Sequence, residues 1–396
     1  MIVTKQNKEV DFSDSLIAFK GQSDKELKRT AFLFRLMNYE WLVNISTTLG
    51  LYALKLRLPF VKPIMAATIV KQFIGGLSLR NCAPTITKLA TADVFTILDY
   101  GAEGKDIATE FVKTKEENIA AIHFAKKNRR VPIITAKVSG FGRNALLEKF
   151  KKGEPYVGDL QLEYNALVEK IDAVCLAAHK NDVGVFIDAE ESWIQDAIDD
   201  IATLMMQRYN QEKVIVYNTF QMYRKDRYAY LVAACEDAKA GNYLLGAKLV
   251  RGAYMEKERS RAEKMDYPTP IQDNKAATDA DFNKALKFCF EQYETIGFCN
   301  ATHNQQSCQL LIRLIEENQV AKNHPHLLFC QLYGMSDNIT FNLSNAGYNA
   351  AKYVPYGPIE DVFPYLVRRA QENTAVSGEM SREYGLLLKE IARRNS

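Results

Sequence analysis

Charged, amide and hydroxyl side chains recur just after short apolar segments in the middle of the chain. The positions are Lys137, Asp188, Glu190, Glu191, Asn218, Gln221, Lys248, Arg251, Thr302, His303, Asn304 and Tyr353. One polar residue beside a strand is usually satisfied by a cap or a salt bridge. Because polar groups follow six such segments, a shared binding or catalytic site is the better interpretation.

Basic residues dominate this set. Lys137, Lys248 and Arg251 could face one opening, and Arg368 and Arg369 stand together in an otherwise apolar helical segment. Adjacent helical residues point about 100° apart, so one arginine could instead be buried and the other solvated. A guanidinium can hold a carboxylate through two hydrogen bonds, each contributing roughly 1.5 to 3 kcal/mol. An anionic ligand is therefore indicated.

The carboxylates leave a second chemistry open. Asp188 and Glu190 would share one face of an extended segment and, with His303, could ligate a divalent cation in a metal-dependent lyase or hydrolase. The chain has neither the Gly-x-Ser-x-Gly nor the His-Glu-x-x-His pattern, so serine hydrolysis and zincin chemistry have no support.

Two further motifs are discounted. Gly140–Ala145 fits the dinucleotide pattern GxGxxA, but it follows the second predicted strand instead of opening a Rossmann unit. His324 and His326 resemble a metal-binding pair, yet they precede the seventh strand, at the end of a barrel where residues serve stability. The GxGxxA match is interpreted as a coincidence, and a structural role is favoured for the two histidines.

Eight short β-branched segments alternate with longer helical patterns from residue 94 onward. They run over 94–100, 131–139, 183–188, 213–218, 245–251, 296–302, 327–332 and 351–355. Their starts are about 37 residues apart on average, as a (β/α)8 barrel requires. The pattern predicts an α/β fold of the TIM-barrel type over residues 91–375. A helical arm is expected over 1–90 and a C-terminal helix over 376–396, its clearest pattern lying at 381–394.

Composition excludes several other classes. The 396 residues carry 51 Lys+Arg against 48 Asp+Glu, a net charge of +3 without long runs of one sign, which argues against a nucleic-acid binder. The 7 cysteines contain no pair at Cys-x-x-Cys or zinc-ribbon spacing. Reduced, buried thiols in a cytoplasmic protein are therefore expected. No apolar stretch is long enough to span a membrane or to serve as a signal peptide.

Four segments in order resemble the FAD-dependent proline dehydrogenases (proline oxidases) of the monofunctional type. They are Ile187–Ser192, Lys248–Tyr254 (KLVRGAY), Ala301–Asn304, and Tyr365–Arg369 followed by Glu372 and Asn373. The resemblance spans the barrel from about Lys137 to Asn373, whereas the first 90 residues match loosely. It implies a distorted (β/α)8 barrel with non-covalent FAD in its mouth and the last barrel helix lying above.

The resemblance also implies roles for residues. Lys137, Arg368 and Arg369 would bind the proline carboxylate, with Tyr353, Tyr365 and Leu332 around the ring. Asp188 and Lys248 would be catalytic, beside the reactive part of the flavin. The implied flavin contacts are Ala189, Asn218, Arg251, Gly252, Ala253, Thr302, His303, Asn304 and Glu372. Many bacterial members have arginine in place of Lys248 and glutamine in place of Asn218.

The expected reaction is oxidation of L-proline to Δ1-pyrroline-5-carboxylate by hydride transfer to flavin N5, the first step of proline catabolism. Hydroxyproline is the alternative substrate, although Tyr353 favours proline. Two alternative functions stay open. One is the metal-dependent lyase or hydrolase, and the other is a non-catalytic protein that binds a membrane or partner through its basic tail. The resemblance implies that a quinone accepts the electrons. The protein is therefore expected to be cytoplasmic and to contact the inner membrane peripherally.

Overall fold

The computed structural model describes residues 10–37, 65–101, 106–150, 153–375 and 377–396, together with single positions between 38 and 64. For residues 370–375 and 377–381 it describes the backbone alone. The parts of the predicted N-terminal arm at 1–9 and across most of 38–64 lie outside the described residues.

Eight parallel strands close into one barrel in chain order, with β1 paired to β8. The strands are β1 Phe95–Tyr100, β2 Ile133–Lys137, β3 Gly184–Asp188, β4 Val216–Gln221, β5 Leu245–Val250, β6 Ile296–Ala301, β7 Leu327–Leu332 and β8 Ala350–Tyr356. The predicted (β/α)8 barrel is confirmed. Seven of the predicted strands agree with the observed ones to within two residues.

The fourth strand lies three residues later than its predicted span of 213–218. Asn210 is the reason for the late start, since its side-chain Oδ1 accepts the backbone N–H groups of Ile215 and Val216 at 2.9 and 2.8 Å. The strand then continues through Asn218, Thr219 and Gln221, polar residues that resemble a strand end in the sequence. The carboxyl end of β4 is therefore at Gln221.

Helices fill the connections and flank the barrel. They are α1 Ser15–Phe19, α2 Asp24–Met37, α3 Ala83–Ala90, α4 Ala108–Lys126, α5 Asn144–Leu147, α6 Asp159–Asn181, α7 Ser192–Tyr209, α8 Arg227–Ala240, α9 Met255–Met265, α10 Lys275–Glu291, α11 Gln305–Glu317, α12 Asp337–Asn345, α13 Ile359–Ala375 and α14 Ser377–Asn395. A π-helical segment, Ala66–Val70, continues into the short helix Lys71–Phe73. Single 3-10 turns cover Leu79–Cys82 and Val138–Gly140.

Successive side chains of each strand point alternately into the barrel and out toward the helices, which produces two separate cores. The barrel interior is filled by Ile97, Ile133, Phe186, Cys299, Cys330, Ala351 and Tyr353. Neighbouring positions such as Leu98, Ile134 and Ile187 point outward into a larger core against the helices. Lys137, Asp188 and Lys248 have the inward parity, so the barrel itself brings their side chains together.

A further core joins the two ends of the chain. Phe19 and Phe34 of the N-terminal helices pack with Leu366 of α13 and Leu387 of α14. Each of these side chains is almost fully buried. The C-terminal helix therefore packs on the arm and on α13, which is the helix that lies above the barrel mouth. Within the described residues, no helix combines the length and hydrophobicity needed to cross a bilayer.

Candidate active site

Asp188, the last residue of β3, is the centre of a buried ionic network at the carboxyl end of the barrel. Its Oδ1 accepts a hydrogen bond from Lys248 Nζ at 2.6 Å, and its Oδ2 accepts one from the Tyr353 hydroxyl at 2.6 Å. Lys137 Nζ lies 3.3 Å from Oδ2. Three strands thus converge on one carboxylate, as active-site residues do at this end of TIM barrels.

Burial opposes ionisation of Asp188, but the charges of Lys248 and Lys137 and the hydrogen bonds from Lys248 and Tyr353 outweigh it. Together they lower the pKa of Asp188 to about 2. The carboxylate is therefore ionised at neutral pH. A residue held in this state orients and neutralises cations and is poorly suited to act as a general base.

A second carboxylate, Asp99 of β1, completes the network and was not among the sequence candidates. It accepts hydrogen bonds from Lys137 Nζ and from the Thr135 hydroxyl, both at 2.6 Å. Two ammonium groups thus face two carboxylates, and the formal charge of this cluster is zero. Any excess positive charge that attracts an anionic ligand must come from other residues.

Aromatic rings flank the Lys248 ammonium. Its nitrogen lies 4.8 Å from the Tyr353 ring centre and 5.2 Å from that of Phe186, within the range of cation–π attraction. Leu332 of β7 packs against the same interior cluster as Tyr353. Tyr353 and Leu332, two of the residues expected around the substrate ring, therefore lie together and form an apolar wall beside the charge of Lys248.

Arg251, directly after β5, is held by residues from three other segments. Its Nε donates to Asp279 at 2.7 Å, and its Nη1 and Nη2 donate to the hydroxyls of Thr302 and Ser307 at 2.5 and 3.1 Å. Its guanidinium carbon lies 4.3 Å from the centre of the Phe282 ring. The cation is thus rigidly placed between the ends of β5 and β6.

Gly252 turns the chain away from β5 in a conformation that side-chain-bearing residues avoid. Its φ is +138°, and an added Cβ would lie 2.5 Å from the ring of Tyr223, which is itself buried. Ala253 and Tyr254 follow this turn and lead into α9. Glycine is therefore required at this position for the loop to pass the Tyr223 ring.

We expect Gly252→Ala to lower the free energy of unfolding by at least about 2 kcal/mol, because it combines backbone strain with overpacking. Urea unfolding followed by circular dichroism measures the effect. Gly153→Ala is the matched control, since Gly153 also has a positive φ, +85°, but no atom within contact distance of an added Cβ. Equal losses in both variants would show that the contact with Tyr223 is unimportant.

His303 and Asn304 follow β6. His303 Nδ1 lies 2.8 Å from the Ser336 hydroxyl, and Asn304 Oδ1 accepts the Ser307 N–H at 3.0 Å, which caps α11. Burial, followed by the charges of Lys352, Arg369 and Arg251, lowers the pKa of His303 to about 3. The imidazole is therefore neutral at neutral pH and presents one donor and one acceptor.

The paired arginines of α13 reach the same end of the barrel. The Arg369 guanidinium lies 5.3 Å from the Tyr365 ring centre, and Arg368 lies 5.6 Å from that of Tyr254, which follows β5. Arg369 is close enough to lower the pKa of His303. The prediction that the last barrel helix lies over the mouth is confirmed. Glu372 belongs to the same helix, but its side chain lies outside the described residues.

Asn218 is the sequence candidate that the structure removes from the mouth. It is an internal residue of β4 with outward parity, and its Nδ2 donates to Asp199 of α7 at 2.9 Å. The misplaced strand end explains the error, because the prediction put Asn218 at the rim. Gln221 is the β4 residue that reaches the rim, where its Nε2 donates to the Glu190 carbonyl at 2.7 Å.

Asp188, Glu190 and His303 do not share a ligand position. Asp188 is paired with lysines, and the Glu190 carboxylate accepts hydrogen bonds from the backbone N–H and the hydroxyl of Ser139. His303 is hydrogen-bonded to the Ser336 hydroxyl. Among the residues described, no three histidine, cysteine or acidic side chains are grouped as a metal site. The geometry gives the metal-dependent alternative no support.

Other sequence interpretations can be placed directly. All seven cysteines are free and buried, as predicted. The His326 Nδ1 lies 2.7 Å from the Tyr293 carbonyl oxygen, and the His324 ring packs edge-on against Tyr293. Both histidines thus stabilise the connection that precedes β7, in agreement with a structural role.

Lys352 of β8 is a functional neighbour that the sequence reasoning missed. It is fully buried with outward parity, pairs with Asp337 at 2.8 Å and donates to the carbonyls of Leu332 and Met335. A lysine between apolar strand residues was the available signal. Its charge contributes to the neutral state of His303.

Known proteins match both the sequence and the fold. The family model described as proline dehydrogenase matches residues 82–382. Proline dehydrogenase 1, mitochondrial, of Drosophila melanogaster is 39% identical over 241 residues, covering 58% of this chain and 35% of that protein. The protein of the same name from Dictyostelium discoideum is 30% identical over 438 residues, covering 98% of this chain and 76% of that protein. The chain thus spans about a third of the first relative and three quarters of the second.

A solved structure shows the same architecture. Proline utilization A of Bdellovibrio bacteriovorus, inactivated by N-propargylglycine, superposes with a TM-score of 0.71 at 21% identity over 91% of this chain and 38% of that chain. At this identity the likeness supports the fold alone. The matched sequence segment contains every strand of the barrel and the arginines of α13, and the chain belongs to the proline dehydrogenase family.

Proposed function

We propose that this protein oxidises L-proline to Δ1-pyrroline-5-carboxylate with a bound flavin. The observation that supports it most directly is the arrangement of charge at the mouth. Asp188 holds Lys248 beside the Tyr353 ring, while the arginines of α13 lie above. Such a site offers a small imino acid an apolar wall for its ring and guanidinium groups for its carboxylate.

The donor set at the ends of β5 and β6 fits a flavin. A rigid guanidinium at Arg251, the Thr302 hydroxyl and the neutral imidazole of His303 stand beside one another, and Lys248 supplies a fixed positive charge nearby. Family membership implies a flavin, and we propose FAD in particular. Ala189, Arg251, Gly252, Ala253, Thr302, His303, Asn304 and Glu372 are the residues that would hold it.

The protein residues bind, orient and neutralise in this reaction. Bound flavin supplies the acceptor for the hydride that leaves the ring carbon next to the nitrogen. Arg368, Arg369 and Lys137 would fix the carboxylate, and Tyr353, Tyr365 and Leu332 would pack around the ring. Lys248, kept in place by Asp188, would favour negative charge that develops beside it.

The proton balance follows from the substrate. The secondary amine must be neutral before the adjacent carbon can release hydride, and the resulting iminium then loses its N–H proton to give the product. Asp188 is ionised throughout the physiological range and His303 is neutral, so neither group titrates there. We therefore expect activity to rise toward alkaline pH as the substrate amine loses its proton.

Absorption spectra before and after addition of proline test the proposal. The expected result is a flavin spectrum in the purified protein that bleaches under anaerobic conditions with L-proline. Hydroxyproline, assayed in parallel, should bleach it more slowly because Tyr353 closes the site beside the ring. A preparation that stays colourless after incubation with FAD, or that depends on a divalent cation for turnover, would contradict the proposal.

The electron acceptor is a separate proposal. By resemblance to the family, we propose that a quinone reoxidises the flavin and that the protein contacts the membrane peripherally while it does so. Stopped-flow oxidation of the proline-reduced protein by a soluble ubiquinone analogue tests this. Reoxidation by the quinone should be faster than reoxidation by oxygen at equal concentrations, and equal rates would count against it.

A further inference from the structure

The turn between β7 and α12 connects the flavin side of the mouth to the C-terminal helix. Ser336 immediately precedes α12 and adopts a left-handed conformation, with φ +51°. A serine at this position commonly caps the helix with its own hydroxyl. Here the hydroxyl instead lies 2.8 Å from His303 Nδ1 and makes no hydrogen bond to the helix.

Glu383 of α14 provides the missing cap. Its carboxylate accepts the backbone N–H of Ser336 at 2.7 Å and that of Asp337 at 3.2 Å, and the residue is buried. Free N–H groups at a helix N-terminus favour a negatively charged acceptor. A carboxylate distant in sequence therefore fixes the backbone of the residue whose hydroxyl contacts His303.

Charge on the other side of this turn is also fixed. Asp337 pairs with the fully buried Lys352 at 2.8 Å and accepts a hydrogen bond from Gln22 at 2.8 Å. The charge of Lys352 thus stabilises the ionised carboxylate of Glu383 as well as that of its ion-pair partner Asp337. Within the described part of the chain, the contact with Ser336 is the hydrogen bond made by the His303 ring, and it restricts the rotation of that ring.

We propose that Glu383 is a positioning residue for the flavin site, acting through Ser336 to orient the imidazole of His303. The inference rests on the proposed function in one respect, because it assumes that His303 contacts the flavin. Glu383 lies one residue beyond the segment that the family model matches. The C-terminal helix is then part of the cofactor site as well as part of the fold.

The Glu383→Ala variant is the main test, and Glu390→Ala is its matched control. Glu390 lies on the same helix and is fully buried, but it accepts hydrogen bonds from Ser15, Arg393 and Arg394 and has no link to His303. Both variants remove a buried carboxylate from α14. If looser packing of α14 alone changed the His303 spectrum or FAD binding, the change would therefore appear in both variants.

The first readout is the ring nitrogen NMR spectrum of His303 in ¹⁵N-histidine-labelled protein as purified. The chain has 5 histidines, so the His303→Gln variant suffices for assignment. Spectra at pH 8 keep the Glu383 carboxyl largely ionised, since burial and the neighbouring Asp337 raise its pKa to about 7. We expect Glu383→Ala and Ser336→Ala to shift the His303 signals and Glu390→Ala to leave them in place.

The second readout is the dissociation constant of FAD, measured by fluorescence quenching on the deflavinated protein. We expect Glu383→Ala to raise it about 10-fold and Glu383→Gln to raise it less, because the amide oxygen still accepts the Ser336 N–H. The double variant Glu383→Ala, Ser336→Ala should bind FAD almost as tightly as the weaker-binding of the two single variants. The reason is that both substitutions act through His303, so their effects do not add.

Two outcomes would overturn the inference. One is an unchanged His303 spectrum in Glu383→Ala, and the other is an equal shift in Glu390→Ala. Failure of the proposed function is distinguishable from both, because it would appear as absence of FAD binding in the unsubstituted protein while the His303 spectra still report on Glu383.

Discussion

Replacing Asp188 by alanine is expected to slow reduction of the flavin by proline at least about 100-fold. Asp188 accepts hydrogen bonds from Lys248 and Tyr353 and lies 3.3 Å from the Lys137 nitrogen. Without the carboxylate, Lys137 keeps only its pair with Asp99, and Lys248 loses its ion-pair partner. Breaking a buried pair in this way typically costs about 3 to 5 kcal/mol.

Anaerobic stopped-flow bleaching of the flavin by proline measures this effect in a single turnover. Asp188→Asn is the matched variant, because it keeps the size of the side chain and an acceptor for Lys248 while removing the charge. We expect its rate to fall between those of the unsubstituted protein and Asp188→Ala. An unchanged bleaching rate in Asp188→Ala would show that the ionic network has no part in the reaction.

The same residue gives an expected dependence of stability on pH. Since the folded-state pKa of Asp188 is lowered from 3.8 to about 2, the ionised form stabilises the fold above about pH 4. This stabilisation, about 2 kcal/mol, is lost as the pH falls from about 4 to about 2. Urea unfolding at several pH values measures it as the difference between the unsubstituted protein and Asp188→Asn, which cancels the titration of other carboxylates.

The barrel was predictable because its signal is regular. Eight short β-branched segments at even spacing are compatible with few architectures. In a barrel of parallel strands, all the carboxyl ends lie on one rim. The sequence therefore suffices to group Lys137, Asp188 and Lys248 at one end of the barrel. The error at Asn218 arose where this regularity failed, since buried amide and hydroxyl groups at Asn218 and Thr219 are satisfied by partners from other elements.

Other site residues were hidden for a different physical reason. Asp99 and Lys352 are single charged residues inside apolar strands, and each is stabilised by a partner at least 15 residues away in sequence. Glu383 lies on a helix that looks amphipathic, and its contact with Ser336 arises only when both chain ends pack on α13. Sequence periodicity shows which side of an element is buried, but it does not show which distant group completes a hydrogen bond.

Arg368→Ala and Arg369→Ala are each expected to raise the Michaelis constant for proline at least about 10-fold, equivalent to about 1.4 kcal/mol, with little loss of bound flavin. The charge balance at the mouth is the reason. The ammonium groups of Lys137 and Lys248 are already paired with Asp99 and Asp188, so we expect the guanidinium groups of α13 to make the main hydrogen bonds to the substrate carboxylate.

Steady-state kinetics, with flavin content measured from absorbance, give the primary result, and Arg313→Ala serves as the control because Arg313 is an exposed arginine on α11. A pair of ring compounds isolates the carboxylate contact. Cyclopentanecarboxylate should inhibit the unsubstituted protein more strongly than both α13 variants, whereas cyclopentanecarboxamide should inhibit all three alike. If the arginine variants weakened binding of the acid and the amide equally, the guanidinium groups would shape the pocket without binding the substrate's charge.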